Sequence, residues 1–166
     1  RWDQDKVRIF GKEIITRRKV AWYGDDSFDY RYSGHSHLAL PWTAEMCEIR
    51  KLVEQQSETT FNSCLLNLYH NGSEGMGWHS DDESSLDPQA PIASVSLGAE
   101  RRFLFRQKSD KTVKNEILLQ NGSLLLMDAA SQRSWQHSLP VSARISAPRI
   151  NLTFRRMKIR GFQPNQ

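Results

Sequence analysis

His79-Ser80-Asp81 puts an imidazole and a carboxylate two residues apart. On an extended chain, residues at that spacing project to the same side and can grip one ion together. A third ligand is then needed. Of the five histidines, His137 is the one in a strand-like stretch, Trp135 to Leu139, far enough downstream for another strand to bring it alongside the pair. Two imidazoles and one carboxylate on one face of an octahedral ion leave three positions open, the arrangement that suits iron(II) oxygenases. His-x-Asp alone carries little information, because it also occurs as an ordinary polar pair in loops.

The second constellation is in the last strand-like run. Arg149, Asn151, Thr153 and Arg155 alternate with Ile150, Leu152 and Phe154, so two guanidinium groups, an amide and a hydroxyl share one face. That face matches a small dicarboxylate, since an arginine holds a carboxylate through paired charged hydrogen bonds. Asn67 and Tyr69, two apart and just upstream of His79, can add neutral donors. His35-Ser36-His37 is a rival pair, but no carboxylate stands at the same spacing. It is read as a surface or substrate-side feature, and His70, beside Asn71-Gly72, as a turn histidine.

Short strands must position these groups. Asn62 to Tyr69, Ile92 to Leu97, Arg102 to Arg106, Leu124 to Met127 and Arg149 to Arg155 are alternating or apolar runs. They are separated by turn signals at Asn71-Gly72, Gly98 and Asn121-Gly122. One helix is predicted from Trp42 to Val53, opened by Thr43 and carrying Met46, Ile49, Leu52 and Val53 at helical spacing. The expected fold is mainly β with a flanking helix, a jelly roll. With 166 residues, 38% of them hydrophobic, one domain with a real core is expected. No run of about 18 apolar residues is present, so no membrane span is expected. Cys47 and Cys64 are the only cysteines, too few for a disulfide framework, which points to a reducing compartment. The formal charge of +4, with clusters such as Arg17-Arg18-Lys19, Arg101-Arg102 and Arg155-Arg156, is compatible with a polyanionic partner or with a solvated basic surface.

Taken together, these residues resemble the AlkB family of iron(II) and 2-oxoglutarate dioxygenases. The likeness runs through Phe10-Gly11-Lys12, Ala21 to Gly24, Tyr30 to Gly34, Thr60 to Asn62, Asn67 to Tyr69, Trp78 to Glu83, Pro91 to Leu97, Trp135 to His137 and Ala147 to Arg155. The ordered set His79-x-Asp81, His137 and Arg149-x-Asn151-x-Thr153-x-Arg155 is more specific than any one piece. The resemblance implies a double-stranded β-helix over residues 60–160, with a nucleotide-recognition lid over about 1–40. It implies His79, Asp81 and His137 as iron ligands, and Asn67, Tyr69, Arg149, Asn151, Thr153 and Arg155 around 2-oxoglutarate, with O2 as the oxidant.

Tyr32 then matches the aromatic that stacks on a flipped base opposite His79, with Tyr30 and Arg31 beside it, and Asp82 and Glu83 match carboxylates facing the base edge. An N-alkylated adenine or cytosine is cationic, so an aromatic face with nearby carboxylates should prefer it to the neutral parent. Phe10, with Gly11 and Lys12, resembles the finger that fills the gap left by an extruded base. The implied activity is oxidative demethylation of 1-methyladenine and 3-methylcytosine in DNA, with RNA as a second candidate, releasing formaldehyde, succinate and CO2. The protein is expected to act as a monomer, cytoplasmic in a bacterium and nuclear in a eukaryote. Strand preference stays open, because Val141 to Arg144 lacks the basic run of the duplex-repairing branch. The alternatives are an oxygenase of a protein or small molecule, and a non-catalytic nucleic-acid-binding jelly roll.

Overall fold

A computed structural model describes residues 2–9, 12–25, 29–32 and 35–158. In chain order the elements are β1 (Asp3–Ile9), β2 (Lys12–Gly24), β3 (Asp29–Tyr32), β4 (His35–Leu38), α1 (Ala44–Ser57), β5 (Ser63–Tyr69) and β6 (Met76–His79). There follow β7 (Ile92–Gly98), β8 (Arg101–Gln107), β9 (Lys114–Leu119), β10 (Leu124–Met127), α2 (Ala129–Ser134), β11 (Trp135–Leu139) and β12 (Arg149–Arg155). A major sheet runs β1-β2-β5-β12-β7-β10 and a minor sheet runs β6-β11-β8-β9. Every strand pair is antiparallel, as a jelly roll requires. The β3–β4 hairpin forms a third, two-stranded sheet, whereas β1 and β2 extend the major sheet.

The period of two along β12 sorts its side chains to two different environments. Leu152 and Phe154 point to the helix side, packed with Ala21, Cys64, Leu66, Val95 and the α1 residues Met46 and Val53. Trp42 stacks parallel to Phe154 at 6.4 Å, and its indole N–H donates to Asp25 at 2.6 Å. Trp42 therefore lies before the helix rather than in its first turn as the sequence predicts. Thr43 is the N-cap, accepting from the Met46 amide at 3.3 Å, a cap that stabilises by about 1 kcal/mol. The helix continues past Val53 to Ser57 and stops at Glu58, whose φ of 50° is left-handed. Neither helix is long and apolar enough to cross a membrane.

The other face of β12 looks into the space between the sheets. A second cluster there, Trp22, Leu65, Ile92 and Met127, with Phe103 and Phe105 packed against it, seals one side of a polar interior. Register fixes which groups meet. Arg149 lies opposite Tyr69, and Asn151 sits between Asn67 on β5 and Ser96 on β7. On the minor sheet His137 is paired directly with His79.

Candidate metal centre and cosubstrate cavity

His79 ends β6, and Asp81 lies two residues further on, outside the strand. The short run is held in place from α2 and β11: the Ser80 hydroxyl donates to the Trp135 carbonyl at 2.9 Å and the Asp81 amide donates to Gln132 Oε1 at 3.0 Å. His137 faces His79 across the strand pair, and the two Nε2 atoms are 3.1 Å apart. Asp81 Oδ1 is 3.8 Å from His79 Nε2, and Oδ2 is 3.9 Å from His137 Nε2. One donor atom from each of the three residues thus falls within 4.8 Å of the others. Nδ1 of His79 sits 2.8 Å from the Gly77 carbonyl, a contact in which Nδ1–H donates and the lone pair of Nε2 is turned toward the other two ligand atoms.

The charge states suit a cation. Burial would raise the Asp81 carboxyl, but Arg155 and the two histidines outweigh it and hold the group below the usual carboxylate range. Arg155 Nη2 donates to Asp81 Oδ1 at 2.9 Å. Burial, against the pull of Asp81, lowers His137 to about 4, so its imidazole is neutral at pH 7. Two imidazole nitrogens and an ionised carboxylate are the donor set that fits iron(II) with open positions.

Beside this triad the β5, β7 and β12 side chains line a cavity of about 50 Å³. Arg149 is 2% exposed, yet among the described residues no carboxylate pairs with it. It donates from Nη2 to Ser96 Oγ at 2.8 Å and to Asn151 Oδ1 at 2.7 Å, its Nε has no partner, and its guanidinium lies 5.6 Å over the Tyr69 ring. Burial pulls its pKa down to about 10. A buried cation without a counter-ion is costly, and a carboxylate arriving in the cavity relieves that cost. Asn151 is braced by Ser94, whose hydroxyl donates to Oδ1 at 2.8 Å, and Asn151 in turn donates to Thr153 Oγ1 at 2.6 Å. Asn67 contributes an Oδ1 with no hydrogen-bond partner. The residues present fit a dicarboxylate.

A second cleft of about 390 Å³ opens on the other side of Asp81 and Arg155. Asp82 and Glu83 both line it. Lys108 Nζ donates to Asp82 at 3.3 Å, and Glu83 lies 3.6 Å from Arg155. Tyr30, Arg31 and Tyr32 form β3 and Lys12 begins β2, their side chains being outside what is described. Phe10 and Gly11 lie outside the described residues. His35 and His37 fall on β4, and His70 is in the turn after β5, 3.0 Å from Glu74.

Sequence reasoning missed Ser94, Ser96, Gln132 and Arg101. The first two were legible as a pair two apart on Ile92 to Leu97, a spacing that puts both on the Asn151 side. Gln132 acts from a short helix that leaves no periodic trace.

A model of the 2OG-Fe(II) oxygenase superfamily matches residues 3–155, and the chain belongs to that superfamily, whose cofactors are iron(II) and 2-oxoglutarate with O2 as co-reactant. It is 41% identical over 159 residues to mouse "DNA oxidative demethylase ALKBH2", covering 92% of this chain and 66% of that one. It is 40% identical over 162 residues to human "Alpha-ketoglutarate-dependent dioxygenase alkB homolog 3", covering 90% and 56%. These relatives place it among the AlkB-type dioxygenases. The chain spans less than two thirds of the length of these two curated relatives. "The structure of OsALKBH1" shares the fold, with a TM-score of 0.62 at 21% identity over 93% of this chain and 81% of that one.

Proposed function

We propose that this chain is the catalytic unit of an oxidative demethylase that removes methyl groups from 1-methyladenine and 3-methylcytosine in DNA, with RNA as a second substrate. The observation that carries the reading is a convergence in one interior. A metal-ready triad, a buried arginine without a carboxylate partner and a cleft lined by Asp82 and Glu83 adjoin one another. The mouse relative is named a DNA oxidative demethylase, which supports nucleic acid as the substrate.

In this reading His79, Asp81 and His137 hold iron(II), and Asn67, Tyr69, Arg149, Asn151, Thr153 and Arg155 surround 2-oxoglutarate. When bound, the iron and its cosubstrate supply oxidation of the N-methyl carbon, with succinate, CO2 and formaldehyde released. The protein's contribution is placement and charge. Arg155 is already committed to Asp81, so Arg149 is the cation left for the far carboxylate of the cosubstrate. Tyr32 stacks on the extruded base, flanked by Tyr30 and Arg31, and Asp82 and Glu83 favour a cationic alkylated base over its neutral parent. Phe10, with Gly11 and Lys12, fills the gap in a duplex. The protein works as a monomer.

The test is anaerobic loading with iron(II) and 2-oxoglutarate, then admission of O2 with oligonucleotides bearing either methylated base, single-stranded and duplex, read by mass spectrometry. Base repair matched by succinate is the expected result. Succinate without repair would move the substrate to a protein or small molecule. Neither product from metal-loaded protein would leave a non-catalytic binding module.

A further inference from the structure

Arg101 is the largest of the fully buried side chains among the described residues, 1% exposed on β8. A buried guanidinium needs its donors satisfied and its charge compensated. The donors are met: Nη2 donates to the carbonyls of Glu74 and Pro140 at 2.8 Å each, and Nη1 points at the Asn71 carbonyl at 3.5 Å. Carbonyls do not neutralise a charge. Among the described residues no carboxylate stands within ion-pair distance of Arg101. Its guanidinium lies 5.9 Å from the centre of the Tyr69 ring, with Arg149 at 5.6 Å from the same ring. With Arg18 also at 5.9 Å, three buried arginines therefore share one aromatic ring; neither Arg101 nor Arg149 has a carboxylate within ion-pair distance, and Arg101 adds to the downward pull that burial exerts on Arg149.

The carbonyls that Arg101 holds are not arbitrary. Asn71 and Glu74 belong to the turn joining β5 to β6, and Pro140 follows β11. The same region is tied by Gly72 N–H to the Ile145 carbonyl and by Ser142 N–H to the Gly72 carbonyl, both 2.7 Å. A Cβ at Gly72 would fall 2.0 Å from Ser142 O, and one at Gly75 would fall 2.4 Å from Leu139 O. Arg101 thus joins the ends of the strands that carry Tyr69, His79 and His137.

We propose that Arg101 is a positioning residue for the far carboxylate of the dicarboxylate cosubstrate. It fixes Tyr69 and supplies a further buried positive charge at that end of the cavity without lining the cavity itself. The inference rests on reading the cavity as the 2-oxoglutarate site. It assigns Arg101 to one end of one ligand, which a clamp serving only the fold would not do.

The experiment is calorimetric binding to Mn(II)-loaded protein of 2-oxoglutarate and of 2-oxopentanoate, a 2-oxo acid of the same chain length without the far carboxylate. Mn(II) affinity is measured in parallel. Arg101→Met is expected to weaken 2-oxoglutarate roughly tenfold or more, the scale of a lost charged interaction. It should leave 2-oxopentanoate and Mn(II) within about twofold of the parent. Arg101→Lys, which keeps the charge and is the milder change for folding, should show the same selectivity in smaller degree. Equal losses for both acids would reduce Arg101 to a structural clamp and overturn the proposal, as would parental 2-oxoglutarate affinity in the Met variant. A parent protein that takes Mn(II) but no 2-oxoglutarate would instead overturn the cavity assignment, and this inference with it.

Discussion

Arg155 and Asp81 form a buried ion pair, Nη2 to Oδ1 at 2.9 Å, with side chains 4% and 8% exposed. The carboxylate is the same one that stands 3.8 and 3.9 Å from the two imidazoles. Burial pushes this carboxyl up, and the arginine, with the two imidazoles, outweighs that push and holds it below the usual carboxylate range.

Removing that arginine should be felt most when metal is absent. Arg155→Met leaves a buried carboxylate without its cation, a change that costs about 3–5 kcal/mol. A divalent metal should restore part of the loss by replacing the missing positive charge. Urea unfolding with and without Mn(II) measures both; equal stability of variant and parent in the absence of metal would show that the pair contributes nothing.

The parent protein should gain stability from the metal itself. A ligand bound only to the folded state adds about 2.7 kcal/mol at a hundredfold excess over its dissociation constant. Fe(II) or Mn(II) should raise the melting temperature, a chelator should reverse the rise, and His137→Ala should abolish it. A flat response of the parent across metal concentrations would reject the triad.

Asn151→Asp offers a sharper test of the cosubstrate cavity. Asn151 Oδ1 accepts from Arg149 and Ser94, and a carboxylate in its place would neutralise Arg149 from within. The folded protein should be as stable as the parent or more so, while the KM for 2-oxoglutarate rises by roughly tenfold or more, because the incoming carboxylate now meets an occupied cation. An unchanged KM would remove Arg149 from cosubstrate binding.

The end of α1 carries a correctable cost. Glu58 adopts φ 50°, a left-handed conformation that glycine takes without a Cβ penalty. Glu58→Gly should stabilise the protein by about 0.5–1 kcal/mol, read as a shift in the urea midpoint without change in activity. A lower midpoint would mean that the side chain contributes more than its backbone costs.

The parts of this architecture that alternate were readable in advance, and the parts held by long-range contacts were not. The period of two in β12 announced both its apolar back and its polar front, and the pairing with β5 and β7 delivered them as expected. Trp42 was drawn into the predicted helix by its position, but its contacts with Asp25 and Phe154 lie far away in sequence and take it out. Beyond Val53 the helix is polar, so its last turn has no apolar periodicity to betray it. β6 is four residues long and β9 is largely exposed, and neither leaves a pattern. Arg101 looked like half of a surface basic pair with Arg102. Its membership of the Phe103 and Phe105 face was the signal that it points inward, and what it holds there depends on loops 27 to 39 residues away.

Among the described residues β6 lies at an edge of the minor sheet, pairs there only with β11, and has a register irregularity between His137 and Leu139. A slip of one residue would turn one imidazole away from the other. An ion bridging His79 and His137 would act as a rivet between a weakly zipped border strand and its neighbour, so that only a chain threaded in the native alignment can close it. Catalytic competence and correct strand alignment would then be acquired in one event, and exchange of the β6 amides with solvent would slow when the ion arrives.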